Sequence, residues 1–445
     1  MSANPSPRQL ATEIVRRLSR AGEQAFFAGG CVRDMLLGRE PSDYDIATSA
    51  QPAEVERLFE RTTAVGEAFG VVRVRLEERE FDVATFRVEG PYSDGRRPDS
   101  VRFASAREDV LRRDFTVNGL LYDPLKEEVL DWVGGGADLE AGLIRAIGEP
   151  RERFEEDRLR LLRAVRLATE LGFRIEPKTR RALKRLALEV ASVSGERIRE
   201  ELRRLLLARR RKSGLRLLDA VGLLEVLLPE VAATKGVPQG ESVHPEGDVF
   251  QHSLLALAKL RRPRWPLVLA VLLHDVGKPT TFLRRPHITF YGHERTGEGL
   301  ARRVCERLKM SRREREAVAW LVLQHLRLRD APKMRRSRLR QLLAHPLLED
   351  LAELFRADAL ASTRDLAPYE FLRGAQKELG GGERLPPPLV TGTDLLALGL
   401  PEGPVIGQLL RRVREEQLEG TVSTESQAME LVRRLLESGE VKETK

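Results

Sequence analysis

The sequence predicts a mixed α/β head followed by a long all-helical remainder. Three observations carry this. Short runs rich in β-branched and aromatic residues crowd the first 135 positions, among them QAFFAGG, YDIAT and EVLDWV. The neighbouring runs VVRVRLEE and EFDVATFRV alternate as the two arms of a hairpin do. From about Leu139 onward the apolar spacing becomes helical and stays so.

Residues Pro7 to Ala21 read as a helix, and 24–135 as mixed strands and helices. RFEEDRLRLLRAVRLATELGF has the apolar spacing of one helix stopped by Gly172. SGERIREELRRLLLARRRKSG is a second helix with Ser194 as N-cap. GVPQGESVHPEGD (236–248) reads as a loop boundary and ELGGGERLPPP (378–388) as a linker.

The 445 residues suit several domains. Lys and Arg number 76 against 68 Asp and Glu, a net charge of +8. That bias suits a polyanionic partner, with Arg favouring phosphate and base contacts. Two cysteines, Cys31 and Cys305, exclude a disulfide framework and argue against a Cys-type zinc site. The polar N-terminal stretch lacks a signal-type apolar core, and no run suits a membrane span, so a cytoplasmic location is expected.

FFAGGCVRDMLLGREPSDYDIATS (26–49) holds the first cluster with chemistry. Asp43 and Asp45 stand two apart in what reads as a strand, so they project together. Close carboxylates repel unless a cation sits between them, and Mg²⁺ suits a few carboxylates plus substrate phosphates. Asp82 is placed to reach them from the hairpin. Gly29 and Gly30 let backbone N–H groups approach phosphates, and Arg33 can pair with them. Such a layout serves nucleotidyl transfer; the bland reading of DYD alone is a solvated acidic turn.

In EEDRLRLLRAVRL, Asp157 and Arg160 stand three apart on a helix and are expected to be neighbours. A carboxylate accepts and a guanidinium donates. Cytosine and adenine each offer a donor beside an acceptor in the matching order, whereas uracil and guanine offer the reverse. The pair therefore suits template-free selection of C and A. The bland reading is a surface ion pair.

GGCVRDMLLGREPSDYDIATS resembles the signature of the tRNA nucleotidyltransferase and bacterial poly(A) polymerase family. The resemblance implies a polymerase-β-like nucleotidyltransferase head with an antiparallel or mixed sheet, then an all-α neck, an HD domain and a C-terminal helical arm. It places these at 1–140, 141–235, 236–377 and 378–445. It implies Mg²⁺ on Asp43 and Asp45, with Asp82 as third acid. In LRRDFTVNGLLYD it gives Arg113, Asp114 and Asn118 contacts to the triphosphate and sugar. In EDRLRLLRAVRLATELGF it makes Asp157 and Arg160 the base readers, with Arg163 near the triphosphate. DGRRPDSVRF (94–103), which contains Arg96, resembles the flexible loop used for the terminal A. Glu196 and Arg197 in SGERIREEL are expected to orient the neck.

Six of the seven histidines lie between 244 and 325. VFQHSLLALAKL, VLAVLLHDVGKPTTF, YGHERTGEGLARRV, LVLQHLRL and FRADALAST resemble the HD superfamily of metal-dependent phosphohydrolases. His274–Asp275 should end an apolar helix that Gly277 stops. The resemblance implies His252, His274, Asp275 and Asp358 as ligands of a transition metal such as Mn, Ni or Fe. It leaves His293 and His325 to a second metal or a phosphate. Leu326 replaces the acid that follows in many relatives, which bears on that second metal. His244, His287 and His345 read as surface residues.

LLLARRRKSG (205–214) and KMRRSRLRQLL (333–343) read equally as tRNA-tracking faces or as solvated helix faces. The expected activity is CCA addition to tRNA from CTP and ATP, with an accessory HD phosphatase or 2′,3′-cyclic phosphodiesterase. Its rivals are an A-adding enzyme, a poly(A) polymerase, an HD phosphohydrolase as the main activity, and a non-catalytic RNA-binding protein.

Overall fold

A computed structural model describes residues 5–64, 70–90, 100–240, 247–284, 287–378 and 385–438. Two compact units emerge: Met1–Ala232 with Arg307–Met310, and Ala233–Glu306 with Ser311–Lys445.

The first unit is built on a seven-stranded mixed sheet. Its strands are β1 (Ala25–Ala28), β2 (Ile46–Thr48), β3 (Thr62–Ala64), β4 (Val71–Leu76), β5 (Arg79–Thr85), β6 (Leu120–Asp123) and β7 (Glu128–Asp131). They run in the order β3-β4-β5-β2-β1-β6-β7. Only β2 and β5 pair in parallel, with Ile46 opposite Val83; the other pairs are antiparallel. The predicted hairpin is β4–β5, and Glu77 at its turn adopts a positive φ of 55°. Alternation buries Val72, Val74, Phe81 and Val83 on one face. Helix α1 (Pro7–Arg20) matches its predicted span and starts from a capping box at Ser6.

Beyond the sheet the unit is helical. The reading of everything past Leu139 as helix overlooks two small strand pairs, Leu143–Ile144 with Arg174–Ile175 and Leu283–Arg284 with Ile288–Thr289. The predicted single helix over 153–171 is two: α3 (Pro150–Glu156) and α4 (Leu159–Leu171). Asp157 between them is extended, with φ −138° and ψ 104°. Gly172 ends α4 in the left-handed conformation, as glycine readily does. Ser194 sits at the N-cap of α5 (Gly195–Leu207), although its side chain makes no capping bond.

The second unit is helical around α6 (Val249–Lys259), α7 (Trp265–Leu273), α8 (His293–Arg307), α9 (Arg312–Gln324), α10 (Arg336–Leu343), α11 (Leu348–Ala361) and α12 (Pro404–Glu419). Helix α7 is apolar on all sides and all but one of its residues are buried, as a central helix must be. Gly277 does not stop it. The helix ends at Leu273, and Gly277 has an ordinary φ of −79°. Its role is close approach: a Cβ there would stand 2.1 Å from the His293 carbonyl oxygen. Both cysteines are buried, and burial raises their thiols, Cys31 to about 11 and Cys305 to about 12. Among the described residues no helix is long and apolar enough to cross a membrane.

Gly277→Ala should therefore push the first turn of α8 away. A loss of about 1–3 kcal/mol in chemical denaturation is expected, the usual range for overpacking. A wild-type midpoint would refute the close-approach account.

Candidate active site

In the first unit a cleft of about 630 Å³ opens beside the sheet. Gly29, at the end of β1, takes a φ of 71° and turns the chain into α2 (Gly30–Leu36). A Cβ at Gly29 would stand 3.2 Å from Arg113 Nη1, so the glycine also makes room for that guanidinium. Both glycines, Asp43, Asp45 and Arg33 line the cleft.

Asp43 and Asp45 precede β2 rather than lying within it. The ladder nevertheless extends one residue back, because Ala28 N donates to Asp45 O at 2.9 Å. Tyr44 between them is buried against Phe27, which leaves both acids on the open side. The β2–β5 register carries Asp82 alongside Asp45. Crowding by the surrounding protein, then the charges of Asp82 and Asp43, raises the Asp45 carboxyl above its ordinary value. Asp82 itself is held by Arg73 Nε at 2.8 Å. The crowding of Asp43 against the raised Asp45, both hard oxygen donors on the open cleft, fits a divalent cation such as Mg²⁺.

A second chain of charges crosses the cleft. Arg33 Nη1 donates to Asn118 Oδ1 at 2.8 Å, and its Nη2 lies 2.8 Å from Asp34 Oδ1. Asn118 Nδ2 donates to Asp114 Oδ1 at 3.1 Å. Asp114 Oδ2 takes Arg163 Nη2 at 2.6 Å. Burial pushes the Asp114 carboxyl up, but Arg163, Asn118 and Arg160 outweigh it and hold it down at about 2. Arg113 and Arg112 both grip the buried Asp109, at 2.9 and 2.6 Å.

Asp157 and Arg160 line the same cleft but do not pair with each other. Their expected helical adjacency fails because the helix breaks at Asp157. Asp157 Oδ2 accepts from Arg197 Nη2 at 2.8 Å, and its Oδ1 accepts from Leu159 N at 3.1 Å. Arg160 donates to Glu156 and to the carbonyls of Arg153 and Arg112. Each is thus fixed independently, and the surface-ion-pair reading is excluded. Arg96 lies outside the described residues, as does His244.

Sequence reasoning missed Arg73, Asp34 and Asp109, and gave Arg197 no specific partner. Asp109 had a signal, since it precedes Arg112 and Arg113 by three and four on one helical turn. The Arg197 bond joins residues forty apart and had none.

The second unit gathers the predicted histidines and acids at a buried centre. Asp275 lies at its middle. Its Oδ2 is 3.2 Å from His274 Nε2 and 3.7 Å from His252 Nε2. Its Oδ1 is 3.4 Å from His293 Nε2 and 3.8 Å from His325 Nε2. Asp358 Oδ1 meets His252 Nε2 at 2.9 Å. His252–His274–Asp275 and Asp275–His293–His325 each form a cation-sized cluster. The missing acid at Leu326 therefore leaves the second cluster with three donors.

The histidine orientations support metal binding. His274, His293 and His325 each place Nδ1 2.7–2.8 Å from a backbone carbonyl, which only accepts. In their neutral forms Nδ1 carries the proton and Nε2 a lone pair. Burial, then His274, pushes the His325 imidazole down to about 3, so it is neutral near pH 7. Nε2 of His293 and His325 face one another at 3.3 Å. Two opposed lone pairs repel, whereas ligands at about 2.1 Å from a tetrahedral ion stand about 3.4 Å apart.

The poly A polymerase head domain family matches residues 25–145. The probable RNA and SrmB-binding site of polymerase A matches 172–235, and the HD domain matches 249–363. The A-adding tRNA nucleotidyltransferase of Deinococcus radiodurans is 34% identical, across 93% of this chain and 96% of that enzyme. The chain belongs to the tRNA nucleotidyltransferase family.

CCA-adding enzymes align over shorter stretches. That of Lactiplantibacillus plantarum is 45% identical over 212 residues, 47% of this chain and 52% of the enzyme. That of Bacillus velezensis is 41% identical over 263 residues, 59% and 64% respectively. This family member thus spans between half and two thirds of the curated CCA-adding enzymes it matches there. In structure it resembles the Bacillus stearothermophilus CCA-adding enzyme in complex with CTP, with a TM-score of 0.74, 28% identity, and coverage of 98% and 100%. The head is of the polymerase-β type.

The buried Asp114 carboxylate makes stability depend on pH. Its folded carboxyl lies near 2 against an ordinary 3.8, so its contribution is full above pH 3.8 and fades as pH falls through 2. Asp114→Asn should flatten stability over that window by about 2 kcal/mol in pH-resolved urea unfolding. An unchanged slope would remove the buried pair from the account.

Proposed function

We propose that this chain extends the 3′ end of tRNA, completing CCA from CTP and ATP without a template. The observation that carries the reading is the meeting, in one cleft, of Asp43 and Asp45 with Asp157 and Arg160. Asp43 and Asp45, with Asp82 beside them, would hold Mg²⁺, which activates a hydroxyl nucleophile and offsets triphosphate charge. Gly29 and Gly30 keep the floor open to phosphates. Arg33, Arg113, Asn118 and Asp114 bind the triphosphate and sugar, with Arg163 fixing Asp114. Arg197 holds Asp157 so that a free lone pair addresses the exocyclic amine of C or A. Arg160 spends three of its five N–H groups on the protein and directs the others at the ring acceptor. The reading places the protein in the cytoplasm.

A-adding activity is a second reading, favoured by the near full-length likeness to the A-adding enzyme of Deinococcus radiodurans. The deciding assay supplies Mg²⁺ with tRNA ending before CCA, in C, or in CC. Growth of all three to CCA is expected. Extension of the CC-ended tRNA alone would establish A addition, and long A tails would indicate a poly(A) polymerase. Asp43→Ala and Asp45→Ala should each lower incorporation by on the order of a thousandfold, the loss of several kcal/mol of charge stabilisation.

The centre on Asp275 supports an accessory phosphohydrolase activity. Its imidazole-rich donors suit Mn, Ni or Fe at two positions that share Asp275. His274→Ala should abolish Mn²⁺-stimulated phosphatase turnover and leave nucleotide addition intact. Loss of both together would argue against separate centres. Phosphatase turnover in a wild-type protein that adds no nucleotide would make this centre the main activity.

A further inference from the structure

A cavity of about 770 Å³ opens onto the Asp275 centre. One stretch of its wall is the 3₁₀ helix Arg327–Lys333, which directly follows His325 and Leu326. A 3₁₀ helix repeats every three residues, so i and i+3 share a face. The lining follows that rule. Leu326 and Arg329 line the cavity. Arg327, Asp330 and Lys333 line a separate cleft, closed by Met334, Arg335 and Arg338.

This second cleft is cationic. Arg327, Lys333, Arg335 and Arg338 face a single carboxylate within it, Asp330. On its far side Arg335 and Arg338 also border Glu415, Glu416 and Glu419 of α12. Glu419 is itself engaged by Ser337 N at 2.6 Å. Arg327 and Lys333 thus share the single carboxylate of Asp330, while Arg335 and Arg338 lie between this cleft and those glutamates. Arg327 Nη1 donates to the neutral Gln324 Oε1 at 3.1 Å. Like charges assembled beside one another are stabilised by an anion.

We propose that this cleft binds the phosphate backbone of an RNA strand whose end enters the neighbouring cavity. Substrate choice by the Asp275 centre then resides outside the metal ligands, and this inference rests on the phosphohydrolase reading of that centre. Arg329 lines that cavity from the same seven-residue element, placing it to meet the terminal phosphate. Successive phosphates continue across to Arg327, Lys333 and Arg338. A small phosphate ester fills the cavity without reaching the cleft. The exposed ring of Tyr291 at the cavity rim offers a terminal base a stacking surface.

The test uses the full chain with Mn²⁺ and compares R327Q/K333Q/R338Q with wild type. Two substrates are supplied, p-nitrophenyl phosphate and a ten-nucleotide RNA carrying a 3′-phosphate. A wild-type rate on the small ester is expected, with a KM for the RNA about tenfold higher at unchanged kcat. The log–log salt dependence of RNA binding should become shallower by about 2, the effect of three fewer phosphate contacts on a single strand. In parallel, phenylglyoxal modification of wild-type Arg327 and Arg338 is read by mass spectrometry with and without the RNA. Protection is expected. Equal kinetics on RNA in the variant, or no protection, would overturn the inference. So would protection by a poly-Glu peptide and not by RNA, which would reassign the cleft to an acidic protein. If wild type hydrolyses neither substrate, the phosphohydrolase reading fails while the protection arm still decides the cleft.

Discussion

The Asp114–Arg163 ion pair ties the two halves of the first unit together. Asp114 lies on the segment that leads into β6, and Arg163 lies on α4. A carboxylate this deeply buried would be unaffordable alone, so the pair fixes the distance between sheet and helix. The same carboxylate holds Asn118, which holds Arg33, which is held by Asp34. One buried charge therefore orders a row of groups from the sheet edge to the helix.

The second unit solves a related problem with imidazoles. His274, His293 and His325 are each anchored through Nδ1 to a carbonyl three residues earlier. The local turn thus sets the tautomer, and the inner nitrogen is left to point at Asp275. Lys278 adds a buried cation at 2.7 Å from Asp275 and is braced by Gln239 at 2.6 Å. Both units place negative charge in the interior; in the second, the imidazoles around it are oriented by carbonyls close in sequence.

Much of this was legible in the residues. Period-two alternation located the β4–β5 hairpin, and the DYD spacing placed two acids on one side even though they stand just ahead of the strand. The His…His-Asp…Asp order located the second centre. What stayed hidden was long-range. Nothing near Asp157 in the sequence breaks a helix; its extended backbone goes with a bond to Arg197 on another helix. Gly277 looked like a stop because glycine often is one, whereas its lack of a side chain matters to a backbone sixteen residues onward. Asp275 has two oxygens, and only the three-dimensional arrangement reveals that both are used.

The 3₁₀ helix at Arg327–Lys333 has an evolutionary consequence. Its residues fall with a period of three on the cavity, on the cationic cleft and on a buried face of Leu328 and Ala331, so substitution can tune either open surface separately. Insertion or deletion of one residue cannot. It would rotate every following side chain by a third of a turn, moving each surface's residues onto the next face and displacing the buried face of Leu328 and Ala331. Length in this segment should thus be held fixed across descendants that keep both surfaces, while the identities along it drift.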